Sequence, residues 1–352
     1  MAAPGIARHL AAFAAGLAAL ATSGCSTVRF YSQAIDGQAE ILNKARPIPA
    51  VMQDDGVSAR VKQKLTVVED ARRFAGAQLE LPADREYARY TDLGRRYVSW
   101  VLFAAPEFSV EGKTWWYPFV GSLEYRGYFT EKAARDEAKR LQAQGLEVYV
   151  GGVEAYSTLG VFHDPVLNTF FHRSDAELAE VIFHELTHVK LFLPGDSDFN
   201  EAFATANAEA AVRRWLRSKG DRAALTRYEI ALAKDREIVA LLLATREKLR
   251  QVYARREFSP EQMRARKALV FAQLHTGYLE IRRRHHGDSL YDQAFAKPWN
   301  NARLNTVSTY NDLVPGFERL LQSHGGDLHA YYTAVGKMRH LSKEERRKRL
   351  TE

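Results

Sequence analysis

The chain of 352 residues has a single cysteine, Cys25. No intramolecular disulfide can form, so packing must hold the fold and the lone thiol calls for another explanation. Long hydrophobic runs are missing too. The alanine-rich run at residues 10–21 falls short of the roughly 20 apolar residues that a membrane-spanning helix requires. With only 11 prolines, no internal repeat and no low-complexity tract beyond that leader, solenoid and disordered classes are excluded. What is present, 46% hydrophobic and 26% charged residues, is the balance of a folded body whose length allows one or two domains. The formal charge of +7 is spread among acids, with short basic clusters only at 282–284 and 346–349. Such scattering speaks against nucleic acid as a partner and fits solvated faces or contact with anionic lipid or cell-wall polymer.

Arg8, the apolar run and the small residues Thr22-Ser23-Gly24 together read as a secretory signal peptide over residues 1–24. Cys25 follows that cleavage site directly, in a context resembling the bacterial lipobox, whose cysteine becomes the acylated first residue of the mature protein. Thr22 stands where Leu is usual. Several acyl chains anchor stably where one binds only marginally. Ser26 rather than Asp after the cysteine implies lipid anchoring at the outer membrane.

The strongest motif is V-I-F-H-E-L-T-H-V-K-L-F around His184, Glu185 and His188. Residues four apart share a helix face, so both imidazoles can meet one zinc ion while the carboxylate between them reaches a water beside it. Apolar residues recur at helical spacing over 176–193, Ser174 or Asp175 offers an N-cap, and Pro194-Gly195 closes the run.

A catalytic zinc site generally has three protein ligands and one open position. A third histidine six residues beyond His188 is ruled out, because Pro194 stands there. The next helix opens D-F-N-E-A-F-A, and a turn at P-G-D-S-D would carry Glu201 back towards the histidines. Glu201 can instead form a capping box with Asp198. The ligand role is preferred, since Asp196 and Asp198 fall in the loop and rigid elements hold ligands better. Glu209, further along the same helix, is the alternative ligand or a partner for a ligand histidine. His163, His172, His275 and the pair His285-His286 have no companion at metal spacing.

The segments A-Y-S-T-L-G-V-F-H-D-P-V-L (155–167), F-H-E-L-T-H, G-D-S-D-F-N-E-A-F-A, N-N-A-R-L and T-Y-N-D-L-V-P-G-F resemble the bacterial family called predicted aminopeptidases, over about 117–321. The resemblance implies an HExxH metallopeptidase holding Zn²⁺ through His184, His188 and Glu201, with Glu185 as base and a peptide as substrate. Tyr310, placed by the resemblance in a polar stretch near Asn300 and Asn301, is the candidate donor to the reacting carbonyl. The competing activities are cleavage of peptidoglycan stem peptides and a non-catalytic zinc-binding lipoprotein scaffold.

The expected fold is α+β and predominantly α-helical, a zincin-like HExxH helix beside a small sheet, with a long helical hairpin. Residues 1–24 form the leader and 25–352 one metallopeptidase domain, divided into a lead (25–58), a helical part (59–116) and the catalytic core (117–352). Helical periodicity is read at 61–79 and 84–104, strand texture at 115–125, a helix at 130–144 and a strand at 146–153. A further strand from Ala155 would present Tyr156, Ser157, Thr158 and Leu159 to an extended substrate backbone. Two long helices within 221–284 break at Phe258-Ser259-Pro260, a natural helix start.

Overall fold

The computed structural model describes residues 25–117, 121–155, 163–307 and 312–352, and it is predominantly helical with three small sheets among them. Helix α1 (Cys25–Asn43) buries Ile41, and the single turn Ile48–Gln53 that follows buries Ile48 and Val51. The later part of the segment expected as a lead, from Ile41 to Val57, thus contributes side chains to the main core. Helix α2 (Ala59–Leu79) starts at Ser58, whose side chain accepts a hydrogen bond from the Val61 amide, and buries Leu65, Val68, Ala71, Ala75 and Leu79 at helical spacing.

Beyond Leu79 the expected helix over 84–104 does not form. Strand β1 (Arg46–Pro47) pairs with β2 (Arg89–Thr91), and Ser99–Pro106 is strand β3. Tyr97, Val98, Trp100, Val101 and Phe103 are β-branched and aromatic, residues that suit a pleated, half-buried surface. Strands β4 (Trp115–Tyr117) and β5 (Gly121–Leu123) form a hairpin sheet, and β6 (Tyr125–Tyr128) follows at once. Helix α3 (Glu131–Gln142) and strand β7 (Leu146–Val153) fall where the sequence places them. β3 is central, antiparallel to β6 on one side and β7 on the other, with Leu102 opposite Arg126 and Val150. Leu102, Ala104 and Tyr128 of this sheet pack on Ala134, Ala138 and Leu141 of α3. Strand β8 (Val166–Leu167) completes the first sheet, parallel to β2.

Helix α4 (Asp175–Lys190) carries the HExxH sequence and α5 (Ser197–Ser218) follows after a short turn. Ser174 and Glu177 form a reciprocal capping box at the start of α4. The helix ends at Lys190, earlier than the expected 193, because Pro194 cannot donate its amide and crowds the carbonyl four residues back. Leu178, Ile182, Phe183 and Leu186 of α4 share the main core with Phe199, Ala202, Phe203 and Ala206 of α5. Small alanine side chains at that contact allow the two axes a close approach. Helices α6 (Arg222–Tyr253) and α7 (Pro260–Arg284) form the long hairpin, with Ser259 capping α7 through Gln262. Its distal half has a core of its own, Ile238, Leu242 and Leu249 against Val270, Leu274 and Tyr278. Helices α8 (Val314–Ser323), α9 (Leu328–Lys337) and α10 (Lys343–Thr351) close over α5, with Phe317, Tyr331 and Tyr332 packed around Phe203. No helix of the described residues is long and apolar enough to cross a membrane.

Candidate metal centre and adjoining cleft

The turn between α4 and α5 is built to return Glu201 to the histidines. Asn200 clamps Leu193 at two points, accepting from its amide at 2.8 Å and donating to its carbonyl at 2.8 Å. The cap of α5 is Asp196, whose carboxylate faces the Phe199 amide at 3.4 Å, and not Asp198. The alternative capping box between Asp198 and Glu201 is therefore absent, and Glu201 is the fifth residue of the helix, clear of the capped turn. Asp196 is buried and is also held by Arg346 of α10 at 2.7 Å, so a distant helix selects which aspartate caps. Deeper between the helices, the Asn207 amide donates to the Thr187 hydroxyl at 2.6 Å, Thr187 donates to the Phe183 carbonyl, and the single proton of the Tyr332 hydroxyl is shared between the Leu79 carbonyl at 3.0 Å and the Asn207 side-chain oxygen at 3.2 Å. This buried chain ties α4 and α5 together in register.

Among the described residues, His184, His188 and Glu201 form the group of three metal-capable side chains, with ligand atoms all within 4.8 Å of one another. The two Nε2 atoms lie 3.1 Å apart, and Glu201 oxygens lie 3.3 Å from His184 and 3.5 Å from His188. A tetrahedral zinc site with bonds of about 2.1 Å has ligand–ligand edges of about 3.4 Å, close to each of these separations, the last two of which are made by different oxygens of Glu201. His188 is 5% exposed, and among the described residues its buried Nδ1 has no hydrogen-bond partner. Two imidazoles and a carboxylate are a donor set that could hold a divalent ion such as zinc.

The electrostatics favour a cation. Burial would lower the His184 pKa, yet the hydrogen bond to Glu201 and the charges of Glu185, Glu201 and Glu180 outweigh it and raise it. Burial acts upwards on Glu201, but the two histidines reverse this and hold its carboxyl well below the usual carboxylate range. Glu185 is pushed up by burial, with His184 and His188 pulling against the shift. One turn before His184, Glu180 is pushed up to about 7, chiefly by burial and secondly by the charge of Glu209. Glu209 is not at the trio. Arg236 donates to it at 2.6 Å and Arg213 at 3.3 Å, so two guanidinium groups engage its carboxylate.

Glu201 also lines a cleft of about 460 Å³. One wall is the strand segment Ser122, Leu123, Glu124 and Tyr125; Arg246 of α6, Asn305, Thr306 and Val307 contribute others. Phe103 joins Tyr125 as an aromatic pair, ring centroids 5.8 Å apart. None of these residues stands out in the sequence, because the cleft is assembled from separate segments. Tyr156, Ser157, Thr158, Leu159 and Tyr310 lie outside the described residues, although Thr306 and Val307, just before Tyr310 in the chain, line the cleft. Cys25 opens α1, and its side chain is likewise outside the description. Of the other histidines, His163 faces Glu86 at 2.8 Å, His172 faces Glu154 at 3.4 Å and His285 faces Glu237 at 3.0 Å. Each of the three therefore lies against a carboxylate and not beside another candidate metal ligand.

A family model described as a putative aminopeptidase matches residues 29–350. No curated protein and no solved structure matches the chain.

Proposed function

The chain belongs to the putative aminopeptidase family, and from that premise we propose that it is a zinc-dependent peptidase in which His184, His188 and Glu201 hold the ion and Glu185 is the general base. The observation that carries this reading is the convergence of the two Nε2 atoms, 3.1 Å apart, with the Glu201 carboxylate, whose two oxygens lie 3.3 and 3.5 Å from them, and Glu201 also lines a cleft of about 460 Å³. A closed structural site would leave no position for water. Zinc, when bound, supplies Lewis acidity towards water and the scissile carbonyl. Glu185 accepts the proton of the attacking water and hands it to the leaving amine, and burial, which raises its pKa, suits it to both steps. Tyr310 donates to the developing oxyanion, and the segment Tyr156, Ser157, Thr158 and Leu159 pairs with the extended substrate backbone.

Peptide hydrolysis by the purified mature chain is expected to stop on treatment with a chelator and to return with added zinc. Far-ultraviolet circular dichroism should stay near native throughout, because the ligands sit on helices already packed by the main core. Hydrolysis that survives complete zinc removal would refute the assignment.

The reading includes export. Residues 1–24 act as a lipoprotein signal peptide, and acylated Cys25 tethers the folded body to the outer membrane, facing the periplasm. Cys25→Ala is expected to move the protein from the membrane to the soluble fraction and to abolish the mass increment of the acyl chains. An unchanged mature mass with full membrane retention would end the lipid-anchor proposal.

A further inference from the structure

We propose that Glu124 is the specificity-determining residue of the cleft and holds the free α-ammonium of the substrate's first residue, so that the enzyme works from the amino end of peptides. This rests on the peptidase reading and adds to it the recognised group. Glu124 sits at the junction of β5 and β6, on the wall of the cleft that Glu201 also lines. It is exposed to that cleft, and among the described residues no hydrogen bond or ion pair reaches its carboxylate. Oε2 lies 3.5 Å from the point a Cβ on Gly112 would occupy, and the Asn305 amide is packed at the same glycine.

The other acids near cavities are already engaged. In the separate cavity beside α7, Arg264 holds Glu107 at 2.6 Å and Lys267 holds Glu147. In the cleft itself, Glu201 faces both histidines and Lys343 stands 4.0 Å from Asp198. Arg246 shares the cleft with Glu124, but its guanidinium donates to the Val110 carbonyl at 3.1 Å and lies 3.7 Å from Glu111. Although Glu124 is open to the cleft, the protein around it still strips water from its carboxyl and pushes it up, with Arg246 pulling it down and Glu111 and Asp198 adding to the rise. This is the pattern of an anion short of cationic partners. A substrate ammonium supplies one, whereas a chain continuing past this point would bring a carbonyl oxygen against the carboxylate. Phe103, Leu123 and Tyr125 beside it offer an apolar surface to the first side chain.

The test compares wild type with Glu124→Gln, a change of charge at nearly constant shape, on Leu-Ala-Ala and N-acetyl-Leu-Ala-Ala, with binding of leucinamide and N-acetylleucinamide followed by calorimetry on the same zinc-loaded proteins. Wild type should prefer the free amine in both assays. Glu124→Gln should lower kcat/KM and affinity for the free amine by about 10- to 100-fold, as expected for a charge-assisted hydrogen bond, leave the acetylated compounds unchanged, and keep zinc content and Tm. Glu124→Asp should fall between the two. A Glu124→Gln protein that still discriminates free from acetylated amines as wild type does would overturn the proposal, as would a wild type indifferent to acetylation. If wild type cleaves neither peptide, the peptidase reading fails, and the leucinamide pair still decides whether Glu124 binds an ammonium.

Discussion

Glu185→Gln is expected to retain zinc at wild-type stoichiometry while turnover falls by at least about 10²-fold, the scale of a lost general base. The separation of the two readouts follows from the geometry. The contacts that define the metal site are made by His184, His188 and Glu201, and Glu185 is outside that triangle. It feels the imidazoles through charge, since both lower its pKa against the effect of burial. Glutamine preserves shape and hydrogen-bonding reach but cannot accept the proton. Zinc by atomic absorption and kcat on a free-amine peptide would be measured on the same preparation. Parallel loss of metal and activity would make Glu185 a ligand or a fold element instead.

The HExxH helix was legible because its information is local: one turn separates the histidines, Ser174 caps the start and Pro194 bars continuation. The hairpin break at Ser259-Pro260 and the strand Leu146–Val153 were legible for the same reason. The stretch 84–104 was not. Its apolar spacing admits either period, and what decides for strand is pairing with residues 125–128 and 146–153, far off in sequence. Similarly, the turn P-G-D-S-D offers two aspartates as caps, and the choice of Asp196 depends on Arg346, 150 residues away. Glu124 could not be found from the sequence, since it gains meaning only when β5, α6 and the segment 305–307 converge around Glu201.

The two candidate third ligands make opposite predictions when each is truncated to alanine. Glu201→Ala removes a carboxylate with one oxygen 3.3 Å from His184 and the other 3.5 Å from His188, so zinc affinity should fall by more than about 100-fold, beyond the 10- to 100-fold that loss of a partner outside the ligand set typically costs. Its thermal stability without added metal should change little, because α5 is capped by Asp196 and its turn is pinned by Asn200, neither of which depends on Glu201. Glu209→Ala should behave in reverse. The residue is 5% exposed and sits between Arg213 and Arg236, so its loss strips a buried counter-charge from two guanidinium groups. Glu229 and Glu318 remain to Arg213 and Arg236 respectively, which limits the destabilisation to about 1–3 kcal/mol, the range for a charged hydrogen bond left unmade. Zinc should stay bound in that variant. Stoichiometry and Tm for both proteins, measured in parallel with and without zinc, separate the roles, because a ligand moves the metal and an ion-pair partner moves the fold. Wild-type zinc binding by Glu201→Ala together with metal loss by Glu209→Ala would transfer the third ligand along the helix and remove the cleft of Glu124 from the metal centre.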